Sequence, residues 1–128
     1  MKTIKIIFIF LACFSTIAFA NNISLGVVGI YEGKVFNTDS QMPVVTTLHV
    51  EKGVLSGEYV ITEPDGITRG ELFNFRQESM FTYVCEWKDR YGVGVLRILF
   101  AANFSEFYGF WGYNLENTVL VFNGVRQK

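Results

Sequence analysis

The residues of this chain that could do chemistry are few and scattered. His49 is its one histidine, and Cys13 and Cys85 are its two cysteines. A metal site needs three or four donors brought together. His49 has no second histidine and no carboxylate at ligand spacing, and the alternation of its strand turns it outward, so neither a metal nor a cofactor is expected. Nucleophilic catalysis needs a thiol or hydroxyl activated by a neighbouring base. Cys85 instead alternates with Phe81, Tyr83 and Trp87 on an apolar face, which predicts a buried, inert thiol. No Ser/His/Asp order with supporting turns, no phosphate-cradling glycine loop and no CxxC pair occurs. The sequence therefore predicts a protein without catalysis of its own.

What remains is aromatic. Tyr31, Tyr59, Trp87 and Trp111 each combine a large apolar ring with a polar tip, the type of side chain that lines a site for a small, mostly apolar ligand. These are the candidate ligand-binding residues. A second group follows from the run Phe107 to Tyr113, which reads Phe-Tyr-Gly-Phe-Trp-Gly-Tyr. If Phe107, Trp111 and Tyr113 point inward, Tyr108 and Phe110 must point outward. The preceding strand repeats the pattern, with Leu96, Ile98 and Phe100 inward and Val95 and Leu99 outward around Arg97. Val95, Leu99, Tyr108 and Phe110 are thus a candidate contact surface for a second copy of the chain or a foreign protein, unless a loop folds over them.

The elements that must position these residues are all strands. Apolar residues recur at period two, branched and aromatic types are favoured, and no stretch of ten or more residues carries a helical stripe. Eight strands are predicted, near residues 26–36, 43–51, 54–62, 67–76, 79–88, 93–101, 106–113 and 118–125. The links Glu51-Lys52-Gly53, Glu63-Pro64-Asp65-Gly66, Asp89-Arg90-Tyr91-Gly92 and Ala102-Asn103-Phe104-Ser105 are short and turn-rich. Short links make sequential strands antiparallel neighbours, and such a meander loses its edges most simply by closing into an up-and-down barrel; a β-sandwich is the alternative. Leu48, Val50, Leu55, Tyr59, Ile61, Phe81, Tyr83, Cys85 and Trp87 fall on the predicted inner face. Glu51, Ser56, Glu58, Thr62, Thr82, Glu86 and Lys88 fall on the outer one. Glycine stands two residues before a large side chain at Gly29, Gly57, Gly70 and Gly109, where a same-face neighbour can cover the bare backbone as the strand bends. The interior of an eight-stranded barrel can be filled by side chains or hold one small ligand. With so many aromatic rings assigned inward, a mostly filled interior with a half-open mouth is expected.

Export is predicted from the first twenty residues. Lys2 and Lys5 precede an apolar run from Ile6 to Phe14, and Ala18-Phe19-Ala20 supplies a cleavage site, so residues 1–20 read as a signal peptide cut after Ala20. Leu11-Ala12-Cys13 resembles a bacterial lipobox, although Phe10 stands where leucine is usual. The run is too short to span a bilayer. Residues 21–128 then form a single domain, secreted or periplasmic, with nine basic against twelve acidic residues and a formal charge of −3. That balance argues against a nucleic-acid partner. Cys85 alone remains in that domain, so no internal disulfide is available. An outer-membrane barrel needs more chain, and Glu32, Lys34, Glu58, Glu86 and Lys88 would face lipid, so no stable membrane insertion is expected.

Gly29-Ile30-Tyr31, then Thr46-Thr47-Leu48-His49-Val50, then Gly53-Val54-Leu55-Ser56-Gly57-Glu58-Tyr59 resemble the opening hairpins of the avidin and streptavidin family of eight-stranded barrels. Trp87-Lys88 and Phe107-Tyr108-Gly109-Phe110-Trp111 resemble, more loosely, the strands that family places around its ligand. The resemblance implies a small-molecule site at one barrel end. The chain departs from the family at Glu32-Gly33, where the first polar ligand contact would follow the aromatic, and it carries only two tryptophans. What the resemblance implies is therefore the architecture of small exported barrels of the calycin type, lipocalin-like carriers and periplasmic protease inhibitors among them, rather than biotin chemistry. A secreted effector or inhibitor acting by protein contact is the alternative function.

Overall fold

Four two-residue hairpins, at Lys52-Gly53, Pro64-Asp65, Met80-Phe81 and Arg90-Tyr91, force the chain back on itself and leave each strand beside its predecessor. Lys52 and Gly53 both take positive φ, 52° and 79°, the twist that a tight hairpin between right-twisted strands requires. A computed structural model describes residues 26–128. It has eight strands: β1 Gly29–Phe36, β2 Gln41–Glu51, β3 Val54–Glu63, β4 Gly66–Ser79, β5 Thr82–Asp89, β6 Gly92–Phe100, β7 Glu106–Gly112 and β8 Leu120–Arg126. Every pair of successive strands is antiparallel, and β8 pairs with β1 through Tyr31–Arg126, Glu32–Val125 and Val35–Phe122. The sheet is thus a closed up-and-down barrel, as the meander predicted. The expected signal peptide and its expected cleavage after Ala20 lie outside the described residues, as does Cys13.

Alternation sorts the side chains as period two requires. Tyr31, Leu48, Tyr59, Ile61, Leu72, Tyr83, Cys85, Trp87, Leu96, Ile98, Phe100 and Phe107 are buried inside. Glu32, Lys34, Glu58, Glu86 and Lys88 stand exposed on the outer wall. Two expectations shift at strand ends. Phe81 belongs to the Met80-Phe81 hairpin rather than to β5 and is half-buried, and Tyr113 lies just beyond β7 with 63% of its surface exposed. On the outer wall, Val84 is buried although it alternates outward: Arg76 and Arg97 flank it across the strands, and Arg97 Nη1 is held at 2.5 Å by Glu78. β4 carries a register shift against β5 between Phe73 and Arg76, where Asn74 takes φ 53°.

The two ends of the barrel differ. One is plugged by Arg126, whose Nη1 donates to Val28 O at 2.6 Å, Nη2 to Gly26 O at 2.9 Å and Nε to Phe104 O at 2.9 Å. Arg126 also donates to Tyr31 Oη at 2.7 Å and lies over the Tyr31 ring, while Tyr31 Oη donates to Val27 O. Four of these bonds satisfy the backbone carbonyls of Gly26, Val27, Val28 and Phe104, which lie outside the strands, so Arg126 and Tyr31 together tie down the lead-in to the first strand. Phe81, Phe100, Phe104 and Phe107 fill the space beneath. The opposite end gathers the β1–β2, β3–β4, β5–β6 and β7–β8 connections and is open. A 3-10 turn, Leu115–Asn117, stands there, capped by the Asn114 side chain.

Candidate functional site

The open end holds a cavity of about 300 Å³, at the lower limit for small-molecule sites. Val35 of β1, Met42 of β2, Ile61 of β3 and Phe122 of β8 form its apolar wall, and Tyr59, Trp87 and Trp111 its aromatic one. Two of these rings are seated on glycine across the neighbouring strand. Tyr59 pairs with Gly70, and Trp87 with Gly94; a Cβ at Gly70 would overlap the Tyr59 ring, and one at Gly94 would overlap the Gly112 carbonyl oxygen and the Trp87 ring. A bare backbone at these two positions gives the rings the room they occupy.

Trp87, Trp111 and Tyr113 meet edge to face, with centroid separations of 5.6 Å between the tryptophans, 5.5 Å from Trp87 to Tyr113 and 6.0 Å from Trp111 to Tyr113. Both indole N–H groups are already used. Trp87 Nε1 donates to Gly112 O at 3.1 Å and Trp111 Nε1 to Phe36 O at 2.8 Å. The second of these ties the end of β7 to the end of β1 across the mouth.

The two carboxylates of the cavity stand at the β3–β4 and β5–β6 hairpins. Asp89, the last residue of β5, accepts from Tyr59 Oη at 2.7 Å through Oδ2 and from the Tyr91 backbone N–H at 2.8 Å through Oδ1. Burial, with the hydrogen bond to Asp89 and its charge, holds the Tyr59 phenol well above the usual range, so it stays a proton donor. Glu63, the last residue of β3, accepts from the Thr68 hydroxyl, from Tyr91 Oη at 2.7 Å and from Arg90 Nη2 at 3.3 Å. The Thr68 hydrogen bond first, then Tyr91 and Arg90, lower its carboxyl below the usual range. Among the residues that line the cavity there is no serine, threonine, cysteine, histidine, lysine or arginine.

Of the four residues expected to bind ligand, Tyr59, Trp87 and Trp111 converge on this cavity and Tyr31 does not. Tyr31 sits at the plugged end, fully buried under Arg126. Asp89, Glu63, Tyr91 and Tyr113 were not foreseen as site residues; all four flank connections read only as turns or strand ends. One signal could have found them. In a meander alternate connections fall at the same end, so Glu63-Pro64-Asp65 and Asp89-Arg90-Tyr91 had to gather where the chain after Trp111 also arrives.

The candidate contact residues are neighbours on the outer wall. Leu99 pairs with Tyr108 and is 42% exposed, with Tyr108 57% exposed, while Val95 and Phe110 are half-buried beside them. His49 lies on the outer wall, its Nε2 at 2.8 Å from Glu58 Oε2. Cys85 is buried among the core residues, and burial first, then Glu86, pushes its thiol far up. Among the described residues no three of His, Cys, Asp and Glu are grouped as metal ligands, and no helix is long and apolar enough to cross a membrane. Comparison with known proteins finds no matching family model, no matching curated protein and no matching solved structure.

Proposed function

We propose that this chain is an exported, non-catalytic binding barrel that holds one small, mostly apolar ligand at its open end, in the manner of calycin-type carriers. The observation that carries the reading is the hollow above Tyr59, Trp87 and Trp111 in a barrel whose other end is plugged by Arg126. Filling a barrel at one end and leaving aromatic walls around a cavity at the other suits the capture of one molecule. Tryptophan fluorescence tests it directly. A panel of small apolar and amphiphilic compounds should quench or shift the emission of Trp87 and Trp111, and Trp111→Ala should abolish the response while the β circular dichroism persists. A panel that leaves the emission unchanged, with no small molecule retained in native mass spectrometry of protein from its own organism, would overturn the reading.

A second reading, contact with a protein through the outer wall, is favoured by one observation: Leu99 and Tyr108 pair side by side and are both exposed.

A further inference from the structure

We infer that the ligand of the open-end cavity is an organic ammonium ion with apolar substituents, an inference that rests on the reading of the barrel as a small-ligand binder. The argument is one of unmatched hydrogen-bonding and charge. Every strong donor that faces the cavity is already spent inside the protein. Trp87 and Trp111 give their N–H groups to Gly112 O and Phe36 O, Tyr59 gives its hydroxyl proton to Asp89, and Tyr91 gives its own to Glu63. Neutral donors remain only at the rim, on Asn37 and Tyr113. A ligand carboxylate or phosphate would therefore meet no committed partner, and would meet the charges of two carboxylates.

What the cavity does offer is acceptor capacity and negative potential. Glu63 has a cation close by, Arg90, whose Nη2 lies 3.3 Å from Oε2. Asp89 accepts only from a phenol and a backbone N–H, neither of which carries charge. A carboxylate has about four lone-pair directions, so Asp89 keeps acceptor capacity after these two bonds. The same cavity is lined by Trp87, Trp111 and Tyr113, aromatic rings whose π faces carry the negative side of the quadrupole. Aromatic rings and a half-buried carboxylate lining one cavity attract a cation that sheds water easily, and an alkylated ammonium is such an ion. The apolar wall of Val35, Met42, Ile61 and Phe122 then takes the rest of the molecule. A metal ion or a bare inorganic cation would leave that wall uncovered.

The test compares two ligands of nearly one shape, phenyltrimethylammonium and its neutral isostere tert-butylbenzene, with a smaller aromatic anion, benzoate. Binding is followed by tryptophan emission and by isothermal titration calorimetry on the wild-type protein. The cation is expected to bind at least about tenfold more tightly than the neutral isostere, and benzoate not to bind measurably. Asp89→Asn keeps Oδ1 for the Tyr91 backbone N–H, turns an amide NH2 toward the Tyr59 hydroxyl oxygen, which can accept it, and removes the charge; it should bring the cation's affinity close to that of the isostere. Equal affinity for cation and isostere in the wild type, or tighter binding of benzoate, overturns the inference while leaving an apolar-ligand barrel standing. Absence of binding by all three, together with an unresponsive compound panel, overturns the barrel's ligand-binding role as well. The wild-type comparison needs no variant, so a misfolded Asp89→Asn protein does not rescue the inference.

Discussion

Tyr59 and Asp89, thirty residues apart, meet at the open end of the barrel with Tyr59 Oη donating to Asp89 Oδ2 at 2.7 Å. One side chain thus does two things. Its ring covers the bare backbone of Gly70 on β4, and its hydroxyl reaches past that strand to fix a carboxylate on β5. The cavity's shape and its charge are coupled through this residue.

Separating the two contributions is straightforward. Tyr59→Phe keeps the ring and removes a hydrogen bond to a charged group, and should cost about 1.5 to 3 kcal/mol in urea denaturation with the β spectrum intact. Gly70→Ala places a methyl where the ring lies, and overpacking of that kind costs about 1 to 3 kcal/mol. If Gly70→Ala is neutral, the ring does not rest on the glycine as described.

Stability should fall at alkaline pH. Burial raises the hydroxyl pKa of Tyr59, Tyr31 and Tyr83 and the thiol pKa of Cys85, with Asp89 adding to the effect at Tyr59 and Glu86 at Cys85. A raised folded-state pKa means that the native protein holds its proton more tightly than the unfolded chain. The stabilisation is therefore complete below the unfolded values, about 8.5 for the thiol and about 10 for the phenols, and is lost as pH climbs above them. Urea midpoints should decline from about pH 9 upward, less steeply in Tyr59→Phe. Thiol reagents should label Cys85 slowly in the native protein and fully in denaturant. Rapid native labelling would place Cys85 outside the core.

Tyr83 offers a test of opposite sign. Its hydroxyl is buried and has no hydrogen-bond partner among the described residues, as is also true of Thr46. Removing an unpaired buried polar group while keeping the ring should recover part of a desolvation cost of about 1 to 3 kcal/mol. Tyr83→Phe is expected to raise the denaturation midpoint. A lowered midpoint would mean that the hydroxyl is satisfied in solution.

The strands were legible because their signal is local. Period-two alternation and turn residues such as Lys52-Gly53 and Pro64-Asp65 act over a few positions, and closure follows from the meander. The site was legible only in its large aromatics. Asp89 and Glu63 carry the composition of turns, which hides any second role, and their meeting depends on which connections share an end. Tyr31 looks like Tyr59 in sequence, a glycine-preceded tyrosine on a strand, yet its position is decided by Arg126, ninety-five residues away. The glycine pattern was read along the strand, as Gly57 before Tyr59; the contact that matters runs across it, from Tyr59 to Gly70. Which residue faces which across a seam is a property of register, and register is set by the closed sheet rather than by any one segment.

The outer wall gives the last prediction. Leu99 and Tyr108 are paired and exposed, whereas Phe110 is half-buried and neighbouring Val84 is buried beside the Arg97–Glu78 ion pair. The wall is therefore partly covered by the protein's own side chains, and the free portion is centred on Leu99 and Tyr108. Replacing both with serine removes exposed apolar surface worth about 25 cal/mol per Å² if a partner covers it, and little if water does. The double variant should fold with a midpoint close to wild type, since surface changes away from core and caps stay within about 0.5 kcal/mol. If a second copy of the chain docks here, wild-type protein sediments as a larger species than the variant, and the difference grows with concentration. A wild type that sediments as a monomer at every concentration removes the self-contact reading, and an unfolded variant would move Leu99 or Tyr108 into the core.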